Sequence, residues 1–258
     1  MRRRATRCER RSKDRAGVRV TFELGEHGPD ASATPDRPDT VADVARGRLI
    51  TVEGLDGSGK TTLSLALVEA LTERGLDVRL LREPGGVEAA ERVRKLVHEP
   101  GLSMGARCEA LLFAAARAQL VEEAVDPLLR AGSWVVLDRF VDSSLAYQGA
   151  GRRLGMAEVA EINRFATRGT VPDRTLLLTI APELGRARTR VRSSSADRLE
   201  QEDDEFFLRV AAGYSELAVS DPERIRLLDG TEAPDRVLEA ALAQIADLLP
   251  VGVQPPRR

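Results

Sequence analysis

From residue 48 to residue 249, short apolar runs alternate with stretches in which apolar positions recur every three or four residues. The runs predict strands at Arg48 to Val52, DVRLLRE (77–83), SWVVLDRF (133–140), RTLLLTI (174–180) and RIRLLDG (224–230). The periodic stretches predict helices at 60–74, ended by Gly75, and at 87–98, where Val87, Ala90, Val93, Leu96 and Val97 share a face and Pro100-Gly101 follows. Further helices are predicted at 106–130, with Asp126-Pro127 as a point of kinking, at 155–168, from APELGRARTRVR, at 201–220, and from Ala233 to Leu249. Strands fully buried between helices imply a parallel, doubly wound α/β sheet. Ligands then bind beyond the carboxyl ends of the strands. There is no internal repeat.

Residues 1–47 break this rhythm and read as a disordered basic and polar extension. MRRRATRCERRSKDRAG has no apolar period, GEHGPDASATPDRPDT cannot bury enough surface to fold, and VRVTFEL (18–24) is an isolated strand pattern. Residues 48–250 are the expected domain and 251–258 a short tail. The formal charge of −2 conceals an asymmetry, because residues 1–16 carry eight Arg and Lys against two acids. That balance allows contact with nucleic acid or a membrane surface, or a merely solvated arm. No apolar segment follows the arginines, which excludes a secretory signal, and no run approaches a membrane span. Cys8 and Cys108 suggest neither a disulfide framework nor a metal site, and a reducing cytoplasm fits.

After the first strand, Gly54-Leu55-Asp56-Gly57-Ser58-Gly59-Lys60-Thr61 fits G-x-x-x-x-G-K-[ST], and Thr62 follows. Glycines let the backbone wrap an anion and turn N–H groups inward. Lys60 brings a cation to the outer phosphates, Thr61 offers a hydroxyl to Mg²⁺, and the following helix points its positive end at the loop.

Other chemistry gathers at the strand ends. Asp138 follows an apolar strand, where a carboxylate completes a Mg²⁺ shell beside such a loop, and Arg139 is suited to grip a phosphate. Arg82-Glu83-Pro84-Gly85-Gly86 forms a turn, with Arg94 one helix further on. Phe113 and Arg117 are four apart, so either a ring and a guanidinium meet a base together, or Phe113 is core and Arg117 surface. Asp142 to Gly149 clusters hydroxyls, a phenol and an amide, and Ser143 or Ser144 could instead cap a helix. Arginines at 186, 188, 190 and 192, followed by Ser193-Ser194-Ser195-Ala196-Asp197, look like an arginine-bearing lid or a basic solvated face.

GLDGSGKTT, REPGG, LLFAAARAQLVEE, LDRF, SSLAYQG and RTRVR…ADRLEQE, in this order and spacing, resemble bacterial thymidylate kinases over about residues 48–249. The resemblance implies the P-loop nucleoside monophosphate kinase fold: a five-stranded parallel sheet flanked by helices, with a short lid. It implies transfer of the ATP γ-phosphoryl group to dTMP, a Mg²⁺ requirement and a homodimer. By position, residues 54–62 hold the ATP phosphates, and Thr61 and Asp138 serve the metal. Asp56 lies near the dTMP sugar and phosphate, and Arg94 and Arg139 bind that phosphate. Glu83 joins the same pocket. Phe113 stacks on thymine, Arg117 bonds its O4, Ser144 and Gln148 contact the base, and Tyr147 crowds C2′. Lys60, Asp56, Arg139 and the arginines Arg188, Arg190 and Arg192 form the catalytic set, with Arg192 foremost.

Some relatives place the catalytic arginine within the phosphate loop, where this chain has Gly57. The chain departs further in a lid loop about one residue longer, in Ser144 for threonine, and in Phe140 for His or Tyr. The extension 1–47 has no counterpart. Competing readings are a kinase for another monophosphate, a GTPase, which would need an N-K-x-D reader that the sequence lacks, and a nucleic-acid binder working through residues 1–16.

Overall fold

The computed structural model describes residues 45–192 and 198–250, except the side chain of Arg192. The basic arm, the 18–24 strand, the loop Ser193–Asp197 and the tail 251–258 lie outside the described residues. Arg46 and Gly47 already belong to the domain edge: Gly47 N donates to Leu129 O at 2.8 Å, and Arg46 pairs with Asp173 at 3.4 Å.

Five parallel strands form one sheet: β1 (Leu49–Gly54), β2 (Val78–Arg82), β3 (Trp134–Asp138), β4 (Arg174–Thr179) and β5 (Ile225–Asp229), in the spatial order β2-β3-β1-β4-β5. Leu49 to Val52 pair with Val135 to Asp138, which brings the carboxyl ends of β1 and β3 level. The central strands are buried. The outer strands are not, contrary to the reading of full burial: Leu80 of β2 and Leu227 of β5 are exposed, because an edge strand is covered less completely.

Side chains of β1 alternate between two cores. Ile50 and Val52 meet Leu63, Leu67 and Leu71 of α1 (Lys60–Thr72) and Val237 and Ala241 of α9 (Pro234–Gln244). Leu49 faces Leu120, Val121, Val125 and Leu129 on the other side. These belong to a long helical rod: α3 (Ala106–Leu120), a π-helical turn (Val121–Val125) and α4 (Asp126–Arg130). The expected kink at Asp126-Pro127 thus takes the form of a widened turn before Pro127, whose ring and missing N–H disrupt ordinary α-helical bonding.

α2 (Glu88–His98), α6 (Met156–Ala166), α7 (Pro182–Arg192) and α8 (Asp204–Ser220) fall near their predicted places. The 201–220 helix begins later than its pattern suggests, because Asp203 caps it: its carboxylate accepts from Phe206 N at 2.7 Å. The last helix ends at Gln244, and Ala246–Leu248 forms a short 3₁₀ turn. A helical run was not foreseen: α5 (Val141–Ser144) continues as π-helical Leu145–Gly151. Residues 142–149 are all buried, so the segment has no polar stripe to betray a helical period. Gly151 lets α8 press against it, since a Cβ there would lie 2.7 Å from the Phe206 ring.

Candidate active site

The loop between β1 and α1 turns on Gly54, Gly57 and Gly59, all at positive φ. Gly59 leads into α1 without a side-chain cap, so the first N–H groups of the helix remain available to an anion. Ser58 Oγ is buried and has no hydrogen-bond partner among the described residues. A Cβ on Gly57 would lie 2.3 Å from Gly185 O, and one on Gly185 would lie 2.6 Å from Asp56 O. The loop therefore packs backbone to backbone on α7. Arg188 Nη1 secures this contact by donating to Gly57 O at 3.3 Å and Gly230 O at 2.8 Å.

Lys60 Nζ donates to Leu55 O at 2.8 Å and stands 3.9 Å from Asp56. Burial, reinforced by repulsion from Arg139, lowers its pKa to about 8. Thr61 Oγ1 donates to Asp138 Oδ2 at 2.8 Å, a hydroxyl and a carboxylate from the ends of α1 and β3. No cluster of three or more His, Cys, Asp or Glu suited to a metal occurs among the described residues. A two-oxygen platform completed by phosphates and water is how Mg²⁺ is usually held, so this pair fits that ion.

Arg139 occupies a left-handed turn, φ 71°, directly after β3. It donates to Asp56 Oδ1 at 2.5 Å, Gly54 O at 3.1 Å and Ser143 Oγ at 3.1 Å, and its guanidinium lies over the Tyr147 ring at 5.1 Å. Tyr147 OH donates to Asp56 Oδ2 at 3.0 Å. Burial opposes ionisation of Asp56, but Arg139 and Lys60 overcome it and hold the carboxyl well below its usual range. Burial likewise pushes the Tyr147 phenol up, so it stays protonated as a donor.

Glu53, the last side chain before Gly54, was not singled out in the sequence, although a carboxylate inside an apolar strand is a readable signal. It is fully buried and fixes the Arg139 turn, accepting from Phe140 N at 2.7 Å, Ser143 Oγ at 2.5 Å and Tyr214 OH at 3.0 Å. Burial, aided by Asp142, raises its pKa to about 7.

The pairing of a core Phe113 with a surface Arg117 is inverted. Phe113 is half-buried, edge-on to His98 with ring centroids 6.4 Å apart, and Arg117 is only 2 % exposed. Each of the five guanidinium N–H groups of Arg117 has an acceptor: Glu83 Oε2 twice, at 2.8 and 2.5 Å, Ser144 Oγ at 2.9 Å, Phe140 O at 2.9 Å, and Asn163 Oδ1. Any base oxygen meeting Arg117 must share or displace one of these. Ser143 and Ser144 lie inside the helical run and cap nothing, because their hydroxyls are engaged with Glu53 and Arg117. Arg94 Nη1 donates to Pro84 O at 3.0 Å, which ties α2 to the REPGG turn.

Gln148 is buried and donates to Glu109 at 2.9 Å. Glu109 and Asn163 also escaped the sequence reading. Glu109 had a signal, lying one turn before Phe113 and two before Arg117, whereas Asn163 had none. Arg190, with Leu55, Asp56, Arg186, Glu200 and Gln201, lines a cavity of about 180 Å³. The structure thus gathers Asp56, Lys60, Arg139 and Tyr147 in one group and Glu83, Arg117 and Ser144 in another. Arg188 is drawn to the loop backbone, and Arg192 is the last residue of α7.

A phosphate loop beside a second cluster of polar side chains at the ends of the same parallel strands is the arrangement of P-loop nucleoside monophosphate kinases, and the fold places the chain in that class. A family model described as thymidylate kinase matches residues 52–241, and the chain belongs to that family. It is 45 % identical over 212 residues to the thymidylate kinase of Halorhodospira halophila, covering 81 % of this chain and 99 % of the relative. It is 45 % identical over 201 residues to that of Bordetella pertussis, with 78 % and 93 % covered. The crystal structure of thymidylate kinase from Ehrlichia chaffeensis superposes with a TM-score of 0.63 at 29 % identity, covering 77 % of this chain and 98 % of that one.

Proposed function

We propose that the chain transfers the γ-phosphoryl group of ATP to dTMP, giving ADP and dTDP, and that residues 54–62, 83, 94, 113, 117, 138, 139, 144, 147 and 148 form its two substrate sites. The observation that carries this reading is the pairing of the phosphate loop with the Arg117-centred polar cluster in a chain matched to the thymidylate kinase family over residues 52–241.

The acceptor is a phosphate monoester oxygen. Its second ionisation lies near pH ~6, so it reaches the site as a dianion and needs no general base. The side chains align and neutralise instead. The loop amides and Lys60 receive the ATP phosphates. Arg139, pre-set against Asp56, and Arg94 receive the dTMP phosphate. Phe113 offers its half-exposed ring to the base, and Arg117 and Ser144 offer the polar edge beside it. Tyr147, fixed by Asp56, stands near the sugar. Arg190, which lines the cavity beside Leu55 and Asp56, and Arg192, the last residue of α7, supply charge to the transferred group, with Arg188 bracing the loop. Thr61 and Asp138 would hold Mg²⁺, which would supply positive charge against the phosphates.

We place the catalytic domain at residues 48–250, with the basic arm as an addition to it. The enzyme works in the cytoplasm; among the described residues no helix is long and apolar enough to cross a membrane. A second copy of the chain covers the face of α6, where Phe165 is 88 % exposed.

Kinetics of two variants test the site. Lys60→Ala lowers kcat on the order of 10²-fold, the scale of one lost electrostatic contact to transition-state charge. Phe113→Ala chiefly raises the KM for dTMP. An unchanged dTMP KM in the second variant contradicts the stacking role, and near-normal turnover in the first contradicts the phosphate site.

A further inference from the structure

Glu109 lies on α3 with no solvent exposure. Its Oε1 accepts from Gln148 Nε2 at 2.9 Å and Arg152 Nε at 3.1 Å, and its Oε2 forms an ion pair with Arg198 Nη2 at 2.7 Å. Arg152 continues to Glu202 at 2.6 Å and covers the Phe206 ring at 4.8 Å. Arg198 Nε donates to Val97 O, at the end of α2, at 2.9 Å. One carboxylate thus joins α2, α3, the Gln148 helical run and the 198–202 segment that leads into α8. Through Glu200 and Gln201 that segment walls the cavity shared with Asp56 and Arg190. Burial disfavours the Glu109 charge, but the hydrogen bonds from Arg152 and Gln148 more than offset this and hold the carboxyl below its ordinary range. A buried ion network adds little net stability over apolar packing of the same volume. What this one fixes is the relative position of two walls.

We propose that Glu109 is a positioning residue for the monophosphate pocket. It holds the Gln148 amide on one side and, through Arg198, the 198–202 wall on the other, so that filling the pocket at Gln148 is felt at 198–202. The proposal rests on the dTMP reading above.

The test is hydrogen exchange on the full-length chain, with and without dTMP, read in peptides spanning 198–207, together with steady-state kinetics. In the natural sequence dTMP slows exchange in these peptides. In Glu109→Gln that dTMP-dependent slowing disappears. The KM for dTMP rises about tenfold, the scale of one lost hydrogen bond to a charged group, and exchange in β1 and β3 stays at the natural level. Should Glu109→Gln fail to fold, Arg198→Met carries the test, since Arg198 sits at the less buried end of the pair. It abolishes the slowing at 198–207 while leaving the dTMP KM within about threefold, because Gln148 keeps its partner. If a folded variant, Glu109→Gln or Arg198→Met, retains the natural slowing at 198–207, the proposal is wrong and the dTMP reading stands. If the natural sequence shows no response to dTMP in any peptide, the dTMP reading fails and the proposal fails with it.

Discussion

Replacing Arg117 by methionine removes a cation whose five N–H groups all end on protein acceptors. The volume is nearly kept, but the Glu83 carboxylate, 3 % exposed, loses its counterion. Breaking a buried pair from one side costs about 3–5 kcal/mol. In a domain of this size each kcal/mol lowers Tm by about 2–4 °C, so the expected loss is roughly 6–20 °C. Burial already raises the Glu83 pKa against the pull of Arg117. Without Arg117 it rises further, so the native variant holds a proton that the unfolded chain has given up. The loss is then largest near pH 8 and shrinks as pH falls, vanishing only below the ordinary Glu value of 4.5, where the carboxyl is protonated in both states. Calorimetry at several pH values reads this directly. Adding Glu83→Gln to Arg117→Met restores half or more of the lost Tm at pH 8. A drop below about 3 °C at pH 8, or one that does not shrink on acidification, refutes the view that Arg117 is the counterion of Glu83.

Three further outcomes follow from the same geometry. Lys60 must be charged to meet a phosphate, and its pKa in the free site is about 8; kcat/KM for ATP should fall up to about tenfold per pH unit above that value while kcat holds to higher pH, and a flat kcat/KM profile to pH ~9.5 contradicts this. Glu53 titrates near 7 in the fold against 4.5 ordinarily, so its contribution to stability is full below 4.5 and is lost as pH rises through about 7, amounting to about 3 kcal/mol; urea midpoints at pH 5 and 8 should diverge less in Glu53→Gln than in the natural chain, and parallel behaviour would sink the assignment. Gly57→Arg, which places an arginine where some relatives carry it, should lower kcat/KM for ATP at least about tenfold, because φ is +77° and a Cβ meets Gly185 O at 2.3 Å; a gain in activity would show that the loop can move away from α7.

Much of this was legible in the sequence because the signals were local. The apolar runs gave the five strands to within a residue or two, and the phosphate loop, with Asp138 after β3, followed from spacing and chain order. What the sequence hid was long-range. Nothing in Ala106–Leu120 says that Arg117 is buried, because its acceptors come from Glu83, Phe140, Ser144 and Asn163, up to 46 positions away in the chain. The 141–151 run lacks an amphipathic stripe because its neighbours cover it on all sides. Glu53 and Glu109 stand at positions the sequence marks, but the partners that bury them come from distant segments. The shortfall at Asp204, where α8 begins, is a capping effect that one aspartate decides locally.

The central claim is phosphoryl transfer to dTMP. It is tested most directly by ADP release with ATP and Mg²⁺, offering dTMP, dUMP, UMP, CMP, AMP and GMP in parallel, on the full chain and on a version beginning at Ala45. A strong preference for dTMP is expected in both. Turnover only on another monophosphate would contradict the base-site assignments while keeping the kinase fold, and silence on all six would contradict the function itself.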